Sequence, residues 1–229
     1  MFYHFQEMME DIHTAQYQLL IEALVPSVEE KQHLISSTYT IPSIRAKAEW
    51  ARKWIADGSW TQRLLAFCIV EGIMFSASFA SIFWLKKRGV CKGLAQSNEF
   101  IARDEGMHRD LAVLVYTRHI QHKLPASTVI EMIRSAVDVE SAFVRDCLPY
   151  NLSGMNKTLM TQYVQFVADR LAQDLLGETI YRVDNPFGFM NLISLQGKTN
   201  FFEKKVSSYS RQAALVKSEE NTIGFDADF

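Results

Sequence analysis

The sequence predicts an all-α protein, a helical bundle followed by a short irregular tail. Three observations carry this expectation. Apolar residues recur at three- and four-residue spacing through most of the span from residue 2 to residue 176. Residues that start and stop helices bracket those stretches. No strand alternation and no internal repeat interrupts them.

Taken in order, a first helix covers about 2–24 and ends near "VPS", and a short polar helix follows at about 28–37. Thr40 and Pro42 open a third, closed by Gly58. One long apolar helix is expected from about 60 to 88, stopped by Gly89, with Lys86, Lys87 and Arg88 suiting its C-terminal dipole. Ser97 or Asn98 is expected to cap the next helix, and Pro125 to terminate it. Two further helices follow at about 127–147 and 156–176, the second closed by Gly177. Beyond Asn185-Pro186 the pattern weakens, and the acidic end "SEENTIGFDADF" reads as disordered. The first helix is odd. It lacks an N-cap Ser, Thr, Asp or Asn, and its apolar period of Phe2, Phe5, Met9 and Ile12 begins at once, as though the chain were cut into there.

The bulk numbers bound the function. With 229 residues and 48% hydrophobic content, the chain can bury one large core. A net charge of −2 and a pI near 6.3 leave no basic footprint for nucleic acid. Cys68, Cys91 and Cys147 are widely spaced, which fits reduced thiols in a cytoplasmic protein. There is no signal peptide pattern at the start. Residues 64–85 are apolar enough to raise a membrane span, but Glu71 in their middle favours a buried central helix.

Glu-x-x-His occurs three times, at Glu10/His13, Glu30/His33 and Glu105/His108. The second pair sits in the polar run "SVEEKQHL" and reads as a solvated face, whereas the others lie in apolar-rich helices. Residues three apart on a helix are separated by about 60° and about 4.5 Å, so a carboxylate and an imidazole can reach one metal from one side. Two such helices, plus a lone carboxylate from each of two others, make the di-iron site of ferritin-like bundles. Glu71 is the obvious lone carboxylate, too costly to bury without a cation. Hard oxygen donors with two imidazoles and no thiolate favour iron or manganese over zinc. Read singly, each residue has a plainer role, a hydrogen-bonded core histidine or a salt-bridged glutamate. The joint pattern is what points to a metal.

Neighbouring residues extend the site. Asp104 is placed to accept the ring N–H of a ligating histidine. Tyr17 follows His13 by four residues, about 6 Å further along the same face. It is either a core tyrosine or a phenol close enough for a metal centre to oxidise. Phe75 and Phe79 follow Glu71, and Ile101 precedes Glu105, each as apolar neighbours of the candidate ligands.

The blocks "MEDIHTAQYQLLIEAL", "VEGIMFSASFASIFWLKKRG", "SNEFIARDEGMHRDLAVL", "FVADRLAQDLLG", "NPFGFMNLISLQGKTNFFEKK" and the terminal "DADF" closely resemble the small, radical-generating subunit of class I ribonucleotide reductase. The resemblance is to the eukaryotic and viral tyrosyl-radical form and covers essentially the whole chain. It implies a ferritin-like domain over residues 1–216 and a flexible tail, 217–229, that docks on the large subunit, with the small subunit itself a homodimer. It implies two iron ions per chain, joined as Fe–O–Fe, on Glu10, His13, Glu71, Glu105 and His108, with Glu10 and Glu105 bridging. Manganese is conceivable in their place. Tyr17 matches the radical tyrosine, Phe75, Phe79 and Ile101 its apolar pocket, and Asp104 the acid linking an iron-bound histidine to the radical route. Tyr209 resembles the tail tyrosine that hands the radical to the large subunit, where ribonucleotides are reduced.

The family's sixth ligand is an aspartate upstream of the helix carrying Glu10, and this sequence has no residue there. Glu140 and Asp169, on later helices, can be nominated. Each reads more simply as a surface charge or, for Asp169, as a pairing with Arg170. Two other readings stand beside the working subunit. One is a truncated product that cannot make the radical and acts only as an interaction partner. The other is a ferritin-like di-iron oxidase, which Tyr17 and the "FDADF" end argue against.

Overall fold

The structure, a computed structural model of the chain, describes residues 1–190. The described helices are α1 (Phe2–Leu24), α2 (Val28–Ile35), α3 (Ser37–Thr40), α4 (Pro42–Asp57), α5 (Trp60–Ile69), α6 (Ser76–Lys87), α7 (Lys92–Arg118), α8 (Ala126–Cys147) and α9 (Lys157–Leu176). A five-residue π-helical segment, Val70–Met74, joins α5 to α6. Among the described residues there is no strand, only one isolated bridge between Leu152 and Met155. The all-α expectation stands. Tyr209 and the tail of 217–229 lie outside the described residues.

The best-marked elements follow their end signals. Ser59 and Gln62 form a reciprocal capping box at the start of α5. The Asn156 side chain accepts the Leu159 amide at 2.9 Å, opening α9, and Gly177 closes it at φ 77, a left-handed conformation that suits a residue without Cβ. Pro42 sits in the first turn of α4, where its missing N–H costs nothing. On α8 the buried positions Val129, Met132, Ile133, Ala136, Val137, Glu140, Ser141 and Val144 keep helical spacing. That stripe packs on α9 and α4.

Several boundaries differ from the sequence reading, each for a local reason. Thr40 does not cap α4; its hydroxyl donates back to Ser36 O. Helix α7 starts at Lys92, behind Cys91 at φ 50, so Ser97 and Asn98 lie inside it. Their side chains donate to the Gly93 and Leu94 carbonyls one turn back, as polar residues within a helix can. Pro125 does not end α7, which stops at Arg118, but stands as the cap residue of α8. The single helix expected over 60–88 is broken by the π segment.

The stretch Trp60–Lys87 is long and apolar enough to cross a membrane. It is instead the centre of the bundle: α5, the π segment and α6 all pack on α7, and α9 covers the π segment and α6. Leu65, Ile69, Ile73, Ala80 and Phe83 along it are buried.

Helix α1 departs most from expectation. The apolar-rich spacing of Glu10, His13 and Tyr17 along one face predicts that this face is buried, yet of α1 only Gln6 and His13 are buried. Phe2, Phe5, Met8, Ile12 and Leu19 are exposed. The reason is that α1 lies chiefly against one neighbour, α7.

The two carboxylates nominated for the missing ligand also differ from their sequence reading. Glu140 is 0% exposed and ion-paired to Lys47, not a surface charge. Asp169 is buried, and its carboxylate accepts the backbone N–H groups of Ile180, Tyr181 and Val183 instead of pairing with Arg170. Three amide donors satisfy a buried carboxylate and pin the chain that follows α9.

Candidate metal centre

Three elements meet where α1 crosses α7 beside the π segment. Helix α1 supplies Glu10 and His13, α7 supplies Glu105 and His108, and the π segment supplies Glu71. One donor atom each from Glu10, Glu71, Glu105 and His108 lies within 4.8 Å of the others. The His108 Nδ1 atom lies 3.0 Å from Glu10 Oε1, 3.4 Å from Glu105 Oε2 and 3.7 Å from Glu71 Oε2. His13 faces the same group from its other side, with Nδ1 3.1 Å from Glu105 Oε1 and 3.6 Å from Glu10 Oε2.

The donors are poorly satisfied by one another. Buried atoms without a hydrogen-bond partner include Glu10 Oε1, His13 Nδ1, Glu71 Oε2, Glu105 Oε2 and both nitrogens of His108. Buried polar atoms are normally paired, so a convergence of orphaned oxygen and nitrogen lone pairs needs an explanation. Burial, with the neighbouring Glu71 and Glu10 carboxylates behind it, pushes the Glu105 carboxyl up to about 9. Burial likewise raises Glu71, with Glu10 adding to the effect. Three carboxylates facing one another are costly unless a cation sits among them. The residues present therefore fit a hard, oxygen-preferring metal.

The surroundings orient the donors. His13 Nε2 lies 3.4 Å from Asp104 Oδ2, leaving Nδ1 turned toward the glutamates. Arg103 holds the other Asp104 oxygen at 3.2 Å. Gln6, one turn before Glu10, donates to Glu71 Oε1 at 3.4 Å. Sequence reasoning missed Gln6; its spacing of four residues from Glu10 was the available signal.

Tyr17 stands one turn beyond His13 and donates its hydroxyl to Asn98 Oδ1 at 2.8 Å. Partial burial, and then the Glu105 and Glu10 carboxylates, raise its pKa from 10.0 to about 12, so it holds its proton at neutral pH. The residue as a whole is 38% exposed. Phe79 and Ile101 are buried, whereas Phe75 is 41% exposed and meets Phe79 edge-on at 6.4 Å.

Comparison with known proteins adds a second line. The family model described as "Ribonucleotide reductase, small chain" matches residues 1–186. The subunit M2 of ribonucleoside-diphosphate reductase from Rattus norvegicus is 49% identical over 230 residues, covering 100% of this chain and 59% of that protein. The small chain from Trypanosoma brucei brucei is 52% identical over 231 residues, covering 100% of this chain and 68% of its own length. That from Vaccinia virus (strain Western Reserve) is 48% identical, with 71% of its length covered. The chain thus spans roughly three fifths to seven tenths of these relatives. Among solved structures, the Rnr4 homodimer of Saccharomyces cerevisiae superposes with a TM-score of 0.75 at 34% identity, covering 91% of this chain and 64% of that one. Streptococcus sanguinis dimanganese(II)-NrdF, at 16% identity and a TM-score of 0.66 over 84% of this chain and 68% of its own, shares the fold.

Proposed function

The chain belongs to the ribonucleotide reductase small-chain family, and from that premise we propose that it serves as the radical-generating small subunit of a ribonucleoside-diphosphate reductase. The observation that carries the reading is the convergence of two Glu-x-x-His helices and Glu71, with unpaired donor atoms, one helical turn from a hydrogen-bonded tyrosine. Glu10, His13, Glu71, Glu105 and His108 would hold the metal, iron or, on the same hard donors, manganese. When bound, a di-iron pair supplies the oxygen-activating, one-electron oxidising chemistry that a side chain cannot.

The remaining roles belong to the chain. Asp104 accepts from His13 and fixes which ring nitrogen faces the metal. Tyr17 is the residue to be oxidised, with Asn98 placed to keep its phenolic proton in a hydrogen bond. Phe79 and Ile101, both buried, and Phe75 at their exposed edge are assigned to the apolar side of the tyrosine's pocket. Tyr209 and the tail of 217–229 are assigned to radical hand-over and to docking on the large subunit, where the nucleotide is reduced. Assembly as a homodimer is supported by the yeast Rnr4 homodimer's likeness to this fold.

Loading with Fe(II) and O2 should give a tyrosyl radical signal by electron paramagnetic resonance, absent in Tyr17→Phe. A signal that persists in that variant refutes the assignment. Removing 223–229 should leave the signal unchanged while abolishing association with the large subunit; association that survives the deletion removes the tail from the account.

A further inference from the structure

The helix carrying Glu71 is ruptured immediately after it, and the rupture is held by side chains from elsewhere. In an unbroken α-helix the Ala77 N–H would donate to the Ile73 carbonyl. Here Ala77 N–H donates to Glu140 Oε1 on α8 at 3.3 Å, and the Ile73 carbonyl accepts the Ser76 hydroxyl at 2.6 Å. The next carbonyl, Met74 O, accepts Lys47 Nζ from α4 at 2.8 Å. The same Lys47 Nζ lies 2.5 Å from Glu140 Oε2 and 3.7 Å from the centroid of the Phe143 ring. One ion pair therefore grips both an amide and a carbonyl at the end of the π segment.

We propose that the Lys47–Glu140 pair is a positioning device for Glu71: it holds the π segment open and so sets where that carboxylate stands in the metal centre. This rests on the metal reading given above. A buried ion pair is a poor way to gain stability, because desolvation of the two charges offsets much of their attraction. What it provides here is a donor and an acceptor, fixed to each other, that match two backbone groups with no regular helical partner. π segments are rare and concentrate at functional sites, and this one bears a candidate ligand. Neither residue touches the ligand cluster, so both act through the backbone.

The experiment is a cobalt(II) titration of the full chain, followed by visible absorption and by calorimetry, with thermal unfolding as the control. The swapped variant Lys47→Glu/Glu140→Lys keeps an ion pair but reverses its hydrogen-bonding sense, so neither Met74 O nor Ala77 N–H is served. A pair that merely stabilises the bundle tolerates the swap. A positioning pair does not: cobalt affinity falls about tenfold or more and the ligand-field bands shift, while the chain stays folded. Lys47→Arg, which can still donate to Met74 O and pair with Glu140, recovers most of the affinity. If the swap does not fold, Lys47→Met/Glu140→Met replaces the pair by apolar side chains of similar size and decides the question in the same way. Unaltered affinity and bands in the folded variant overturn the proposal. Failure of the unmodified chain to bind cobalt would instead overturn the metal reading, and the proposal with it.

Discussion

Tyr17 on α1 and Asn98 on α7, far apart in sequence, are joined by a 2.8 Å hydrogen bond in which the phenol donates. Asn98 is fully buried, and its amide nitrogen is spent on Leu94 O, so its oxygen is oriented toward the phenol and nothing else need move. Replacing Asn98 with Ala removes that acceptor and a link between two helices. The expected cost is about 1–2 kcal/mol in denaturant unfolding.

The raised pKa of Tyr17 sets a pH dependence with a definite sign. The unfolded phenol ionises near 10.0 and the folded one near about 12. Below pH 10 both states keep the proton and the group contributes no pH dependence. As pH rises from 10 toward 12 the unfolded state loses its proton first, so stability falls through that window. Burial also pushes Tyr163 and Tyr181 up to about 12, so near-ultraviolet titration of the folded chain should show a step near pH 12 smaller by one tyrosine, and no change near 10, on Tyr17→Phe.

The carboxylate cluster predicts an opposition between stability and binding. Without metal, Glu105 sits in a buried group of like charges that disfavours its ionised form. Glu105→Gln should therefore stabilise the metal-free chain by about 0.5–2 kcal/mol, read in denaturant unfolding. The same variant should weaken metal binding by about tenfold or more, read by calorimetry. A variant that loses stability without metal would contradict this account of the site.

Asp169 supports the opposite prediction. It accepts three backbone amides beyond α9, at 2.7, 2.7 and 3.2 Å. Asp169→Ala leaves those donors unserved and should cost about 2–4 kcal/mol in chemical denaturation, with Asp169→Asn in between. Metal affinity should not change, since Asp169 is not part of the donor cluster.

Much of the bundle could be read directly from the chain where local chemistry decides the outcome. Asn156 and Gly177 mark α9 because a cap and a left-handed closure are local events. The Glu-x-x-His pairs and Glu71 were visible as polar residues in apolar helices, and the structure brings four of those five residues to one point. The Lys47–Glu140 pair was not visible, since it joins residues on α4 and α8 that no periodicity relates. Glu140 alone left a trace: it sits three after Val137 and four before Val144, on the buried stripe of α8. The π segment left none, since its residues Val70 to Met74 would suit an ordinary helix. The exposure of Tyr17 and Phe75 was also illegible, because solvent access depends on which helices cover a face, and periodicity states only that a face is apolar.

Between Val70 and Met74 the chain takes up one residue more than an α-helix would need for the same advance. Each residue turns a helix by about 100°, so everything downstream is phased by that surplus. Deleting a single residue from the segment would let the helix close up, and would swing Phe79 and Phe83 away from the interior they now occupy. The arithmetic length of this stretch is thus under constraint independently of its composition. A substitution here alters one side chain, whereas a one-residue gap re-addresses a whole helix.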